Sequence, residues 1–258
     1  PGLPLNTDQS YDGNQLDVTF DNKFGERTGY TLKARSLIYA YKLASLARQL
    51  DRHDFLIGGS INYDLTEITQ ISGEYRYQDI AYDSVGQTKD KQSHFFLAGF
   101  DYNPTEKYLF SVKAGLEQRN RSGAPDDETP RVEAVVRYDY GEKSFVSGGY
   151  MLAIEEISNV VLYTDIEVHR FFVNLQHSLT AKTTGSLFFN VEPSTLLGRP
   201  GLSPNRDETT QRMGAALTLQ PARGWTVSGT VDVDVTDSAD TFRDLDRTRF
   251  GIDLRYSF

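Results

Sequence analysis

Four histidines are the residues of this 258-residue chain best suited to general-base or metal chemistry: His53, His94, His169 and His177. His53 precedes Asp54 and His94 follows Ser93, but neither has a nucleophile at a spacing that forces a pairing. The chain holds no G-x-S-x-G elbow, no H-E-x-x-H pair and no P-loop, the patterns that seat a serine nucleophile, a zinc ion or a phosphate. It also holds no cysteine, which removes thiolate nucleophiles, thiolate metal sites and disulfides together. The carboxylates at Asp126-Asp127-Glu128 and Glu155-Glu156 could meet a cation, but charge in a polar loop is more simply solvated. The expectation is a protein that is not an enzyme and needs no cofactor or metal.

What the chain has instead is charge at alternate positions. Lys33 and Arg35, Glu74 and Arg76, Glu117 and Arg119, Asp232 and Asp234, Arg247 and Arg249, and Asp253 and Arg255 stand two residues apart. Lys113, Glu133, Arg137 and Arg212 fall into the same kind of pattern, as do Asp101, Arg131, Asp139 and Lys182. A period of two sends successive side chains to opposite faces of a strand, so each group marks the polar face of a β-strand. The positions between them are apolar. From Thr248 the even residues are Thr, Phe, Ile, Leu, Tyr and Phe258, while the odd ones are Arg249, Gly251, Asp253, Arg255 and Ser257.

The same alternation runs through the chain after an irregular lead-in over 1–10. A first strand is expected near Gln15–Phe24, a second over Tyr30–Tyr41, and a short helix in a loop over 42–51. Five hairpins and a last strand follow, thirteen strands in all. Tight turns fall near positions 65, 104, 141, 179 and 222, a repeat of roughly 40 residues per hairpin. Longer polar loops alternate with them, near 79–92, 120–130 and 193–207. In the stretch 160–178 the apolar phase shifts from Thr164, Ile166 and Val168 to Phe171, Val173 and Leu175, which predicts a β-bulge near His169-Arg170. Aromatics crowd the tight-turn ends: Phe24, Tyr30, Tyr63, Tyr102, Tyr108, Tyr140, Trp225, Tyr256 and Phe258.

No run approaches the ~18 apolar residues of a membrane helix, and mean hydropathy is −0.47. A transmembrane barrel reads the same way, because only alternate residues face lipid. A soluble sandwich also alternates, but its strands usually run ~5–6 residues, and these run longer. Net charge is −9, the wrong sign for a nucleic-acid binder. The reading is therefore all-β: one antiparallel up-and-down transmembrane barrel of 12–14 strands over 1–258, with short periplasmic turns and longer external loops. Single-chain bacterial barrels take even strand numbers. Either the first segment lies outside the barrel or one N-terminal strand is missing. The chain starts at Pro1 without Met, which reads as mature or trimmed material.

Inside such a barrel, Lys33, Arg35, Glu74, Arg76, Lys113, Glu117, Arg119, Glu133, Arg137, Arg212, Asp232, Asp234, Arg247, Arg249, Asp253 and Arg255 are the candidate pore-lining residues. Unpaired charge in a dry core is prohibitively costly, so they require water or mutual pairing. Water gives a mixed-charge pore. Pairing gives a lumen closed by its own ion network.

The last strand resembles the C-terminal strand of bacterial outer-membrane barrels, whose alternation and final Phe form the insertion signal. The phrases Gly58-Gly-Ser-Ile-Asn-Tyr-Asp-Leu-Thr-Glu67, Ala98-Gly-Phe-Asp-Tyr-Asn-Pro-Thr-Glu106 and Phe250-Gly-Ile-Asp-Leu-Arg-Tyr-Ser-Phe258 resemble the β-barrel porins of Gram-negative bacteria. Some members of that group are associated with exopolysaccharide export. The resemblance implies a bacterial outer-membrane location, lipid as a partner, and the barrel-assembly machinery as a partner through the strand ending in Phe258. The expected function is a passive channel for small hydrophilic solutes or a secreted glycan. The alternative is a structural barrel with a closed lumen whose external loops bind a partner.

Overall fold

A computed structural model describes residues 10–83, 90–122, 126–155, 162–198, 201–239 and 243–256. Strand alternation becomes structure almost without exception. The strands are β1 (Tyr11–Lys23), β2 (Thr28–Tyr41), β3 (Arg52–Thr66), β4 (Thr69–Tyr82), β5 (Lys91–Thr105), β6 (Tyr108–Arg121) and β7 (Asp127–Gly141). They continue as β8 (Ser144–Glu155), β9 (Tyr163–Thr180), β10 (Thr183–Gly198), β11 (Arg206–Leu219), β12 (Trp225–Ser238) and β13 (Leu245–Tyr256). One helix, α1 (Ala44–Leu50), sits in the β2–β3 connection. It fills part of the stretch from which a short helix is expected.

The thirteen strands form one antiparallel sheet in sequence order, each strand beside its chain neighbours. This is the topology that short hairpin turns dictate, since consecutive antiparallel strands need only a few linking residues. The tight turns sit where the turn residues predict, between β3 and β4, β5 and β6, β7 and β8, β9 and β10, and β11 and β12. The sheet does not close into a barrel: β1 and β13 each have one strand neighbour. Parity supplies a physical reason. In an up-and-down meander the first and thirteenth strands run the same way, so the two edges cannot form the antiparallel pair that closes an even-numbered barrel.

The predicted bulge near His169-Arg170 is absent from the β8–β9 ladder, which runs in unbroken register from Phe145↔Gln176 through Met151↔Arg170 and Leu152↔His169 to Glu155↔Ile166. Over that ladder no residue is inserted; the phase changes further along, where Tyr163 and Asp165 are buried at odd positions and Val168 at an even one. Towards the long-loop end of β9, Val168 turns to the polar face and is buried, while Glu167 and His169 take the other face. Lys182, expected on a polar strand face, lies in the β9–β10 turn and donates from Nζ to the Pro221 carbonyl at 3.4 Å. Phe258 lies outside the described residues, as does Glu156.

By contact density the chain divides into two compact units. One comprises Pro1–Tyr102, Val112–Val132 and Glu156–Asp165; the other comprises Asn103–Ser111, Glu133–Glu155 and Ile166–Phe258. In both, the usual orientation of an amphipathic sheet is reversed. In the first unit, Leu16, Phe20, Ile57, Ile61, Ile71, Tyr75, Phe96 and Phe100 are exposed, whereas Glu74, Glu117, Arg119 and Asp165 are covered. In the second, Val173, Leu187, Leu217, Phe250 and Ile252 are exposed, whereas Glu192, Glu208 and Asp234 are buried. The buried apolar side chains are few and cluster at the long-loop strand ends: Leu50, Ile80, Tyr82, Phe95 and Leu97 in the first unit, and Ala153, Ile154, Val168 and Leu196 in the second.

Candidate functional site

The polar face is where the sequence concentrates charge, and side chains there meet in pairs and triads. In the first unit, Glu74 accepts from Arg76 Nε at 2.5 Å and from Lys113 Nζ at 2.9 Å. Lys113 stands on β6 and Glu74 on β4, so the lysine reaches over β5. The residue it passes is Gly99, where an added Cβ would fall 2.2 Å from Ser72 Oγ and 3.4 Å from Lys113 Cγ. The missing side chain is what lets the lysine lie across that strand.

Deeper towards the long-loop end, Arg119 is fully buried. It donates to Glu117 Oε1 from Nη2 at 2.7 Å and from Nε at 3.0 Å, and Ser93 Oγ donates to the same oxygen at 2.8 Å. Arg119 Nη1 lies 3.6 Å from Asp165 Oδ1, and Arg121 pairs closely with Asp165 Oδ2. Arg131 approaches Glu117 at 3.9 Å and stacks over the Phe95 ring at 5.3 Å. Asp165 belongs to β9, while Arg119 and Arg121 belong to β6, and β7 and β8 stand between them in strand order. Arg119, Glu117 and Asp165 are all buried there. Nearby, Arg52 lies between two aromatic rings, 4.8 Å from the centre of Tyr39 and 5.7 Å from that of Tyr82.

The second unit repeats the pairing in more open surroundings. Glu192 receives Arg170 at 2.9 Å and Arg212 at 3.7 Å, with Glu155 3.2 Å from the same Arg170. Asp234 receives Arg247 at 2.6 Å and Arg249 at 3.0 Å. Arg243, from the last loop, grips Glu208 with Nε and Nη2, both at 2.8 Å. Arg137 pairs with Asp139 at 2.8 Å and stacks on Phe145 at 3.8 Å. These guanidiniums stay accessible: Arg249 is 54% exposed and Arg212 47%, whereas Arg119 is 0%.

The expected pore-lining residues therefore divide. Glu74, Arg76, Lys113, Glu117, Arg119, Arg137, Arg212, Asp234, Arg247 and Arg249 are brought into ion pairs. Arg35 pairs with Asp17 at 2.5 Å in the exposed β1–β2 ladder. Glu133 is half-buried on β7. Lys33, Asp232, Asp253 and Arg255 form no ion pair among the described residues, although Asp232 faces Arg249 in register. Sequence reasoning missed Asp165, Arg121, Glu192, Glu208 and Arg243. Asp165 alternates with Thr164 and Ile166, but no local pattern marks it as the partner of arginines on β6. Arg243 lies in a loop, where no periodicity marks it.

The exposed apolar face carries a second pattern, which the sequence revealed only in part. Beyond the turn-side aromatics, a matched set lies near the long-loop ends. Tyr75 Oη hydrogen-bonds His94 Nδ1 at 2.9 Å and its ring lies 5.3 Å from Phe96. Tyr150 Oη hydrogen-bonds His169 Nδ1 at 2.9 Å and its ring lies 4.9 Å from Phe171. In both cases the Tyr faces the Phe directly across two strands, and the His sits two residues before that Phe. The turn side has Tyr108 stacked on Tyr138 at 4.5 Å, Tyr140 bonded to His177 at 3.1 Å, and Trp225 against Tyr256 at 4.9 Å.

Three of the four histidines thus hydrogen-bond tyrosine on the apolar face. Among the described residues no group of three His, Cys, Asp or Glu side chains is placed to hold a metal. No helix is long and apolar enough to cross a membrane. Set against known proteins, the chain matches no family model and no curated protein.

Proposed function

We propose that this chain is the membrane-spanning sheet of a bacterial outer-membrane channel, passing small hydrophilic solutes or a secreted glycan passively along its polar face. The observation that carries the reading is the reversal of the faces. An exposed sheet face of Ile, Leu, Val, Phe and Tyr far exceeds the apolar patch a soluble monomer leaves open, while the charged face is the covered one. Hydrocarbon is the solvent that makes this arrangement favourable, and a closed β-barrel is one of the two forms that satisfy the backbone there, so on this reading the edges at β1 and β13 find partners in the membrane.

The spacing of the aromatics supports the same reading. His94 and Tyr102 on β5, and His169 and His177 on β9, are each eight residues apart. Between them the apolar face holds Phe96, Ala98 and Phe100 on β5, and Phe171, Val173 and Leu175 on β9. Eight residues span about 26 Å at ~3.3 Å per residue. With the usual strand tilt of ~35–45°, that is roughly 20 Å of depth, near the ~25 Å apolar band between two aromatic girdles. Tyr and His, with an apolar ring and a polar edge, suit the boundary of that band.

On this reading the lipid is the partner of the exposed face, and the C-terminal strand is the segment the barrel-assembly machinery would engage. The ion pairs at Glu192 and Asp234, with exposed guanidiniums, suit a wetted wall. A second reading, a closed-lumen barrel that presents its loops to a partner, is favoured by one observation: the dry Glu117–Arg119–Asp165 cluster. Conductance across a planar bilayer holding the refolded protein separates the two. Steady single-channel steps are expected for the channel. Insertion without any conductance would overturn it in favour of the closed lumen.

A further inference from the structure

At the long-loop end of the polar face, several buried groups able to donate a hydrogen bond have no hydrogen-bond partner. Arg119 Nη1 and the Tyr163 hydroxyl belong to side chains with no solvent exposure, and neither has a hydrogen-bond partner. Arg121 Nε and Thr129 Oγ1 are buried and unpartnered in the same way. All four lie at the long-loop ends of β6, β7 and β9, which the Arg119–Asp165 and Arg121–Asp165 contacts draw together.

The carboxylates beside them are already engaged. Glu117 accepts from Ser93 and Arg119 and faces Arg131, while Asp165 is shared by Arg119 and Arg121. A buried donor without an acceptor costs ~1–3 kcal/mol, and more when it is charged. Several such donors in one dry cluster are therefore a feature that a ligand would relieve. Two guanidinium edges offer only donated hydrogens, and the phenol and the aliphatic hydroxyl can each donate one more. That is the set that recognises an oxyanion: forked N–H groups match the oxygens of phosphate or carboxylate, and charge-assisted bonds to them are the strong ones.

We propose that the Arg119–Arg121–Tyr163–Thr129 cluster is a binding site for a compact oxyanion, phosphate or the phosphate group of a small solute. The anion accepts from Arg119 Nη1, Arg121 Nε and the two hydroxyls, and leaves the Glu117 and Asp165 pairs in place. The inference uses this buried cluster alone and does not depend on conduction.

The test is calorimetric titration of the protein refolded in detergent micelles, with inorganic phosphate as the probe and chloride at matched ionic strength as the control. Saturable heat with phosphate and none with chloride is the expected result. Tyr163→Phe keeps every ion pair of the cluster, whereas Arg121→Gln also removes the Asp165 pair, so its folding is checked by heat-modifiable electrophoretic mobility before titration. Each should weaken half-saturation by roughly tenfold or more, the fold-change of one lost hydrogen bond to a charged ligand. A parallel titration with glycerol phosphate assigns the source: binding of the ester marks a phosphorylated solute, and its exclusion marks the free ion. Phosphate heat indistinguishable from chloride overturns the site, as does phosphate binding that both variants leave unchanged. Because binding is read without a bilayer, its failure is distinct from a failure to conduct.

Discussion

At the scale of single residues, the controlling fact is where charge is dry. Arg119 has no exposure and Glu117 only 3%, so their pair is held in a medium that screens it little. Removing one member of a buried pair leaves the other uncompensated, a loss of ~3–5 kcal/mol. Glu117→Ala is expected to lower the urea midpoint of the refolded protein by that much stability. The equivalent cut at Arg249, which is 54% exposed, should be near neutral because surface pairs contribute ~0–1 kcal/mol. Equilibrium unfolding of the two variants side by side checks the contrast, and equal losses would refute the dry cluster. The alternation of Glu117 and Arg119 was legible in the sequence, since both stand on the odd positions of one strand. Their dryness was not, because Asp165 reaches Arg119 from a strand nearly fifty residues further on.

At the scale of elements, a strand's outer face can change character along its length. β9 does so. Phe171, Val173 and Leu175 point to the exposed apolar face, and before them Val168 turns inward while His169 takes the outer side. Read as a continuous stripe this looks like a slip at His169-Arg170; in the ladder the register is unbroken from Ile166 to Gln176. Val231 on β12 lies in register with Phe250 of β13, in the middle of the apolar band. Val231→Arg is expected to abolish insertion, since a midplane arginine on the lipid face costs ~2–4 kcal/mol. Heat-modifiable electrophoretic mobility in lipid vesicles is the readout, and normal mobility of the variant would sink the lipid-facing assignment. The two Tyr–His–Phe sets need no such inference from zone to face. Their geometry repeats because the same three residue types meet in the same register on β4–β5 and on β8–β9.

At the scale of the whole molecule, the single tryptophan offers a depth gauge. Trp225 packs on Tyr256 at the turn-side end of the apolar face. In vesicles of brominated lipid, its fluorescence should be quenched more by bromines near the headgroup than by bromines at the chain ends. Val231→Trp in a Trp225→Phe background should reverse that order, and identical quenching at both positions would contradict a transmembrane orientation. The amino-acid sequence by itself determined the strand class, the turn positions, the short helix and, outside the start of β9 and Lys182, which residues share a face. Those properties follow from a two-residue period and from turn chemistry, both local. Only the tertiary structure decided the rest: an open sheet of thirteen strands in place of a closed even-numbered barrel, the unbroken β8–β9 register at His169-Arg170, and the carboxylate each arginine meets. Edge closure and ion pairing join residues far apart in the chain, and a period of two carries no information about which strands end up facing one another.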